Sequence, residues 1–258
     1  MEKIADFTHY TTEMRKSLID KIFFMDKLDE SVKTIFDYGC ADGVLIDFLS
    51  NIFPEMHFIG YDIDDTMIAA AKEHCGNKPN IYFGTNFATD ENAHFDKNEA
   101  SLNLSSLIHE VYSYGTTESI QDFWKFVNSG FKYITIRDMC LDNSAHRPAQ
   151  KEDIFRVKRF CPAYQIEQFE SYHGSLSDNY NLIHFLMKYR YQANWARECK
   201  ENYLPLTLEE LATKISSNYE LIYFDHYILP FLARKVKEDM DITLKDYTHV
   251  KMIFRRKD

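Results

Sequence analysis

Apolar positions along the chain change period in a telling order. Lys33-Thr34-Ile35-Phe36-Asp37-Tyr38 is a short β-branched and aromatic run, the pattern of a buried parallel strand. Val44, Leu45, Phe48, Leu49 and Ile52 then recur at helical spacing as far as Pro54, which stops the helix. Met56-His57-Phe58-Ile59-Gly60-Tyr61 reads as a second strand. Strand, glycine turn, helix and strand make half of a nucleotide-binding βαβ unit.

The same reading extends in both directions. Met14, Leu18, Ile22, Met25 and Leu28 fall on one helical face, which predicts a helix before the first strand, capped by Thr11 or Thr12. After the second strand the spacing predicts a helix from Asp64 or Asp65 to Cys75, with Met67, Ile68 and Ala71 inward. Strands are expected at 81–83, 100–105 and 131–136, and a helix over 116–128 presents Ile120, Phe123, Trp124 and Val127 inward and closes at Gly130. The strand at 100–105 alternates polar and apolar residues and is less apolar than a central parallel strand usually is. The last two strands are expected at 221–224 and 249–254.

The chemistry of the first unit lies in its turn and in the end of its second strand. Gly39 and Gly43 permit a tight turn and let backbone approach a ligand. The turn feeds a helix N-terminus, whose free N–H groups favour a carboxylate or phosphate. Asp62 ends the second strand, where it can accept both hydroxyls of a ribose. A dinucleotide fingerprint, G-x-G-x-x-G, would need a glycine at position 44, and Val44 stands there. That argues against a dinucleotide oxidoreductase.

What the turn does show is Asp37-x-Gly39-x-Ala41-x-Gly43, an acid followed by small residues at every second position. It resembles the first motif of the class I S-adenosylmethionine (SAM) methyltransferases, with Ala41 in the middle glycine slot. Gly60-Tyr61-Asp62-Ile63-Asp64-Asp65-Thr66-Met67-Ile68-Ala69-Ala70-Ala71 resembles the second motif of that family. The resemblance covers about residues 33–138. It implies a Rossmann-like, doubly wound α/β fold with a mostly parallel seven-stranded sheet. It also implies that Asp37 lies near the methionine amino group, that Gly39, Cys40, Ala41 and Gly43 form the cradle, that Asp62 binds ribose and that Ile63 lines the adenine slot. Residues just past the third strand meet the adenine edge in this family, which points to Asn86 and Phe87; Ser105, at the end of the fourth strand, completes the cofactor set. The helix before the first strand often covers the cofactor pocket in this family, which makes Tyr10 a candidate cofactor contact, although core packing suits it better.

The segment Ser105–Gly115 follows the fourth strand, where the family places the transferable methyl group. It holds His109, Glu110, Tyr112, Tyr114 and several serines. His109 is the candidate general base on an N or O nucleophile, and Tyr112 and Tyr114 are candidates to orient the acceptor or line the sulfonium. Each also has a plain structural reading, as a hydrogen-bonded histidine or a tyrosine at a core edge. Arg137 and Asp138, at the end of the fifth strand, read best as a mutual salt bridge. His109, Glu110, Asp138, His146 and His173 show no ligand spacing of the H-x-x-x-H kind, and no metal is expected.

Residues 139–219 are far more than one crossover needs. Residues 140–205 are expected as an inserted helical cap between strands five and six. Residues 1–139 then form the SAM-binding core, and residues 206–258 supply its last helix and strands. The cap interleaves basic and aromatic residues, a pattern that suits a polynucleotide or simply a small amphipathic core.

Composition narrows the partners. The 258 residues carry a net charge of −10, with 13 Lys and Arg against 24 Asp and Glu in residues 1–150. That balance repels nucleic acid and favours a small-molecule acceptor, with RNA as the alternative. There is no membrane-spanning run, and the five scattered cysteines fit a reduced, cytoplasmic setting. The expectation is a SAM-dependent methyltransferase acting on an N or O atom; the rival is a SAM-binding protein without transferase activity.

Overall fold

The computed structural model describes residues 17–86 and 95–257. Seven strands form one sheet in the order β3-β2-β1-β4-β5-β7-β6. They are β1 (Thr34–Tyr38), β2 (His57–Tyr61), β3 (Ile81–Gly84), β4 (Ala100–Ser105), β5 (Tyr133–Met139), β6 (Tyr219–Tyr227) and β7 (His249–Arg256). The first five pair in parallel; β7 runs antiparallel between β5 and β6. The chain reverses its direction of winding between β1 and β4, the place where such sheets open a crevice at the carboxyl ends of their strands.

The N-terminal face pattern is only partly helical. The described part of that face is one turn, α1 (Leu18–Lys21), and a 3-10 turn (Met25–Lys27). Leu18, Ile22, Met25 and Leu28 still pack together against the core under β1. Tyr10, Thr11, Thr12 and Met14 lie outside the described residues. The helices α2 (Val44–Ile52) and α3 (Asp65–Cys75) form where expected. Asp64 caps α3 by accepting from Thr66 N–H.

β4 is buried at every position despite its polar residues. The reason is a ladder across three strands. Asp37, Asn103 and Thr135 sit opposite one another in register, and all three are buried. Thr135 Oγ1 donates to Asn103 Oδ1 (2.9 Å), and Asn103 Nδ2 donates to Asp37 Oδ1 (2.7 Å). Each central polar side chain thereby replaces the water it lost.

After β4 the chain forms a helix, α4 (Ile108–Tyr114), and then α5 (Thr117–Val127), capped by Thr116. Between β5 and β6 lie α6 (Lys151–Phe160), α7 (Ala163–His173), α8 (Asn179–Lys188), a turn of helix α9 (Trp195–Glu198) and α10 (Leu208–Ala212). Phe169, Tyr180, Phe185, Tyr189 and Trp195 are buried in a core of their own. That core continues into α11 (Pro230–Met240), which supplies Leu232, Val236 and Met240. The β6–β7 connection therefore packs with the helices of the insertion. No helix among the described residues is long and apolar enough to cross a membrane.

Candidate active site

A cavity of about 1370 Å³ opens at the carboxyl ends of β1, β2, β4 and β5. Its first wall is the β1–α2 turn. Gly39 (φ 81°), Ala41 (φ 47°) and Gly43 (φ 73°) all take left-handed backbone. A side chain on Gly43 would meet Ala71 Cβ and Phe83 Cζ at 2.9 Å, so glycine is required by both conformation and space. Gly39 and Cys40 donate their N–H groups to Tyr61 O (2.7 and 2.9 Å), which pins the turn to β2.

Asp62 is tied into the same turn. Its Oδ2 accepts Ala41 N–H (2.9 Å) and its Oδ1 accepts Asp64 N–H (3.0 Å). A carboxylate has about four acceptor positions, so two are used by backbone and the rest suit a vicinal diol. Ile63, beside it, lines the cavity with a side chain that is 77% exposed, an apolar surface of the kind an adenine ring covers. Asp37 lines the floor, and burial raises its carboxyl to about 6 against the opposing effects of Asn103 and Lys21. A buried acid with one hydrogen-bond donor suits an ammonium group. The donor set therefore fits the methionine and ribose ends of SAM. Cys40 and Ser105 also line the cavity, and Ser105 Oγ is buried with no hydrogen-bond partner.

One of the expected cofactor residues is not brought to this wall. Asn86 is exposed and does not line the cavity. Phe87 lies outside the described residues. The sequence reading missed Lys21, which lines the cavity from α1 and whose charge reaches Asp37 and Asp138.

The opposite wall is made by α4 and by residues 186–203. His109 is buried at the start of α4. Its Nδ1 lies 2.9 Å from Asp138 Oδ1, and its Nε2 lies 3.6 Å from Glu201 Oε1. Asp138 also accepts N–H groups from Leu107 (3.0 Å), Ile108 (2.7 Å) and Met139 (2.8 Å), so it anchors the first turn of α4. Burial alone would lower the imidazole pKa, but Asp138 and Glu201 overrule it and raise His109 to about 9. Asp138 and Glu201 thus favour the protonated imidazole at the position expected to supply a general base.

Tyr112 stands apart from the site expected for it. It does not line the cavity; its hydroxyl accepts from Trp124 Nε1 (3.0 Å), and it packs against the core under α5. Residue 112 faces the helix behind it while His109 and Tyr114 face forward. Tyr114 does line the cavity. Its hydroxyl accepts from Arg197 Nε (3.2 Å), and burial with the nearby Glu201 pushes its pKa up to about 12.

Arg197, Glu198, Glu201 and Tyr203 were not singled out from the sequence as site residues, and all four line the cavity. They stand on a segment fastened from below. Lys188, fully buried, donates through Nζ to Glu198 O (2.9 Å) and to Glu201 O. Burial lowers its pKa to about 7, and its ammonium sits 4.4 Å from the Tyr203 ring. Tyr203 N–H donates to the neutral His184 Nε2 (3.2 Å), and Asn202 N–H donates to Ser113 Oγ (2.8 Å), which itself donates to His109 O (2.7 Å). Glu201 is buried, which raises its carboxyl to about 7 although His109 pulls the other way. The W-x-R-E-x-x-E-x-Y spacing was a signal in plain view: four polar, chemically active residues within one helical turn, α9, and the five residues after it.

Arg137 and Asp138 do not pair with each other, because successive strand residues face opposite sides of the sheet. Arg137 Nε donates instead to Asp20 Oδ2 (2.8 Å). Asp20 also accepts from Tyr227 Oη (2.5 Å) and pairs with Lys251 Nζ (2.5 Å), which ties α1 to the ends of three strands beside the cavity. His146 and His173 lie elsewhere, on Asp178 and on Cys199 O.

Residues 35–147 match a family model described as methyltransferase domain. The methyltransferase domain of bacterial CtHen1 superposes with a TM-score of 0.51 at 11% identity, covering 95% of this chain and 98% of that one. The plantazolicin methyltransferase BamL, crystallised with a triazolic desmethylPZN analogue and S-adenosylhomocysteine (SAH), gives a TM-score of 0.51 at 12% identity, covering 97% and 90%. No curated protein matches the chain by sequence. The strand order, the family match and the cradle together define a cofactor-binding α/β enzyme. Residues 35–147 carry a methyltransferase domain, the whole chain is similar in fold to the methyltransferases above, and SAM is the cofactor that the cradle fits.

Proposed function

We propose that the protein moves the methyl group of SAM to an N or O atom of a small-molecule acceptor. The observation that carries this is the continuity of the cavity. At about 1370 Å³ it exceeds the ~300–1,000 Å³ of single-ligand clefts, so it has room for a cofactor and an acceptor together. Asp62, Ile63 and Asp37 hold the cofactor at one end, and the His109, Tyr114 and Glu201 wall meets the acceptor at the other.

Bound SAM supplies an already reactive sulfonium, so the chain's task is alignment more than activation. The cradle fixes the adenosyl end and Asp37 the amino group. The Tyr114 ring and the Glu110 and Glu201 carboxylates orient an acceptor through its N–H or O–H donors. His109 keeps its proton and holds those carboxylates in place, acting as a positioning group. The chain would thus differ from a passive SAM-binding protein by its polar acceptor wall.

RNA is the second reading. Phe155, Phe160, Tyr164 and Tyr172 are exposed on α6 and α7, next to exposed Lys158 and Arg159. Calorimetric titration with SAM, SAH and NAD, followed by methyl-transfer assays on small molecules and on RNA, tests both readings. Adenosyl binding alone, with transfer to a small acceptor, is the expected result. Absence of adenosyl binding would sink the proposal, and RNA binding that weakens steeply with salt would replace the acceptor class.

A further inference from the structure

We propose that His109, Glu110 and Glu201 form a binding site for one divalent transition-metal cation of the Mn²⁺ or Zn²⁺ class, set in the acceptor wall. The inference deepens the reading of that wall as the acceptor site and rests on it. One ligand atom from each of the three residues lies within 4.8 Å of the others. Ligands of a tetrahedral ion with ~2.1 Å bonds lie ~3.4 Å apart, so side-chain movements of up to about 1.4 Å complete the set. His109 Nε2 and Glu201 Oε1 stand 3.6 Å apart, too far for a hydrogen bond. That separation is close to the ~3.4 Å between neighbouring ligands of a tetrahedral ion.

Two independent observations point the same way. Glu201 is 3% exposed, and its Oε1 has no hydrogen-bond partner, although the wall around it is rich in donors. A buried carboxylate oxygen left in that state costs free energy unless a ligand meets it. The other ring nitrogen of His109 is fixed on Asp138, which is itself held by three backbone N–H groups. A carboxylate behind an imidazole holds the Nδ1 proton and turns Nε2 toward a metal, which binds there by displacing the Nε2 proton that His109 carries in the metal-free protein.

The donor set selects the ion. One imidazole and two carboxylates suit Mn²⁺ or Zn²⁺ better than the all-oxygen shells of Ca²⁺ and Mg²⁺, and the cluster contains no thiolate. Three protein ligands leave positions open toward the cavity, where an acceptor oxygen or nitrogen would be polarised. The resident competitor is Arg197, 3.3 Å from Glu110 Oε1 and 3.7 Å from Glu201 Oε2. Its guanidinium must give way by rotating toward Tyr114, whose ring it already overlies at 5.7 Å.

The test uses the full chain stripped with EDTA. MnCl₂ and ZnCl₂ are titrated by calorimetry, with Mn²⁺ electron paramagnetic resonance as a second readout and an SAH titration on the same samples. Wild type should bind one ion. Glu201→Gln, which keeps the side-chain shape, should weaken binding at least about tenfold, and Arg197→Gln should tighten it. No saturable uptake by wild type up to millimolar metal overturns the site. Uptake unchanged in both Glu201→Gln and His109→Gln overturns its placement. SAH binding without metal uptake would leave the methyltransferase reading standing and remove only the metal. Loss of SAH binding in wild type would remove the reading on which the site rests.

Discussion

The cofactor wall of the cavity and the acceptor wall solve the same problem with different materials. The first is mostly backbone, drawn from the stretch between Asp37 and Asp64: three left-handed residues, a helix N-terminus, and one carboxylate held by two N–H groups. The second is side chains drawn from β5, α4, α9 and the residues just after α9, in which Asp138, His109, Glu201, Arg197 and Glu110 neutralise one another, most of them buried. The first wall fits a ligand that never changes. The second is costly to bury and can be altered residue by residue, as a wall that selects among acceptors must be.

The largest effect expected from this contrast belongs to His109. His109→Ala leaves Asp138 buried without its cation and Glu201 with Arg197 alone, and should cost about 3–5 kcal/mol in urea unfolding. The loss should depend on pH. His109 has a folded pKa of about 9, above its unfolded value of ~6.5. Its contribution is therefore full below pH ~6.5 and fades as pH rises through about 9. A loss under ~1 kcal/mol at pH 6 would mean the acceptor wall is not held by charge compensation.

Asp62→Ala attacks the other wall. Removing two or more charge-assisted hydrogen bonds to a bound ribose should weaken SAH binding by ~100-fold or more, about 2.7 kcal/mol. Stability should fall by only ~1–2 kcal/mol, because Ala41 and Asp64 N–H groups sit at the cavity edge and water can reach them. If affinity survives, the ribose site lies elsewhere. Large stability loss from one wall and large affinity loss from the other is the pattern that separates them.

The same division decides what the sequence could reveal. The cofactor wall is local, so Asp37, Gly39, Ala41, Gly43 and Asp62 stand within one readable stretch, and position along the chain stands in for position in space. The strands and most helices of the sheet were legible for the same reason, since their periods are local. The acceptor wall is not local. Glu201 meets His109 across 92 residues of chain, and Lys188 acts through backbone carbonyls that no side-chain pattern reports. Tyr112 misled because three residues along a helix from His109 still leaves room to face the next helix, where Trp124 holds its hydroxyl. Asp138 looked like half of a neighbour pair, and only the strand's alternation separates it from Arg137. The alternating β4 looked too polar for its place until Asp37, Asn103 and Thr135 were seen in one register.

A smaller effect sharpens the role of Asp37. Its carboxyl titrates near 6 in the free protein, and a cofactor ammonium pairs only with the ionised form. SAM affinity should therefore rise with pH by up to about tenfold per unit below pH 6 and level off above it. 5′-Methylthioadenosine lacks the amino acid and should show no such slope, and Asp37→Asn should flatten the slope for SAM. A flat SAM profile in wild type would place the methionine amino group away from Asp37.

The smallest effect tests whether the cofactor wall is backbone alone. Ala41 occupies a left-handed conformation, φ 47°, that costs a residue with a Cβ about 1–2 kcal/mol. Glycine relieves that cost but gives back ~0.5–1 kcal/mol through the greater freedom of its unfolded chain. Ala41→Gly should thus leave the protein as stable as before or stabilise it by up to about 1 kcal/mol, a rise in Tm of ~2–4 °C at most. SAH affinity should stay within about twofold, because the group that Ala41 contributes is its N–H to Asp62, and glycine has the same N–H. A tenfold loss of affinity would show that the methyl of Ala41 touches the ligand. The middle position of the turn would then carry specificity of its own, and the line between a backbone wall and a side-chain wall would have to be drawn one residue further in.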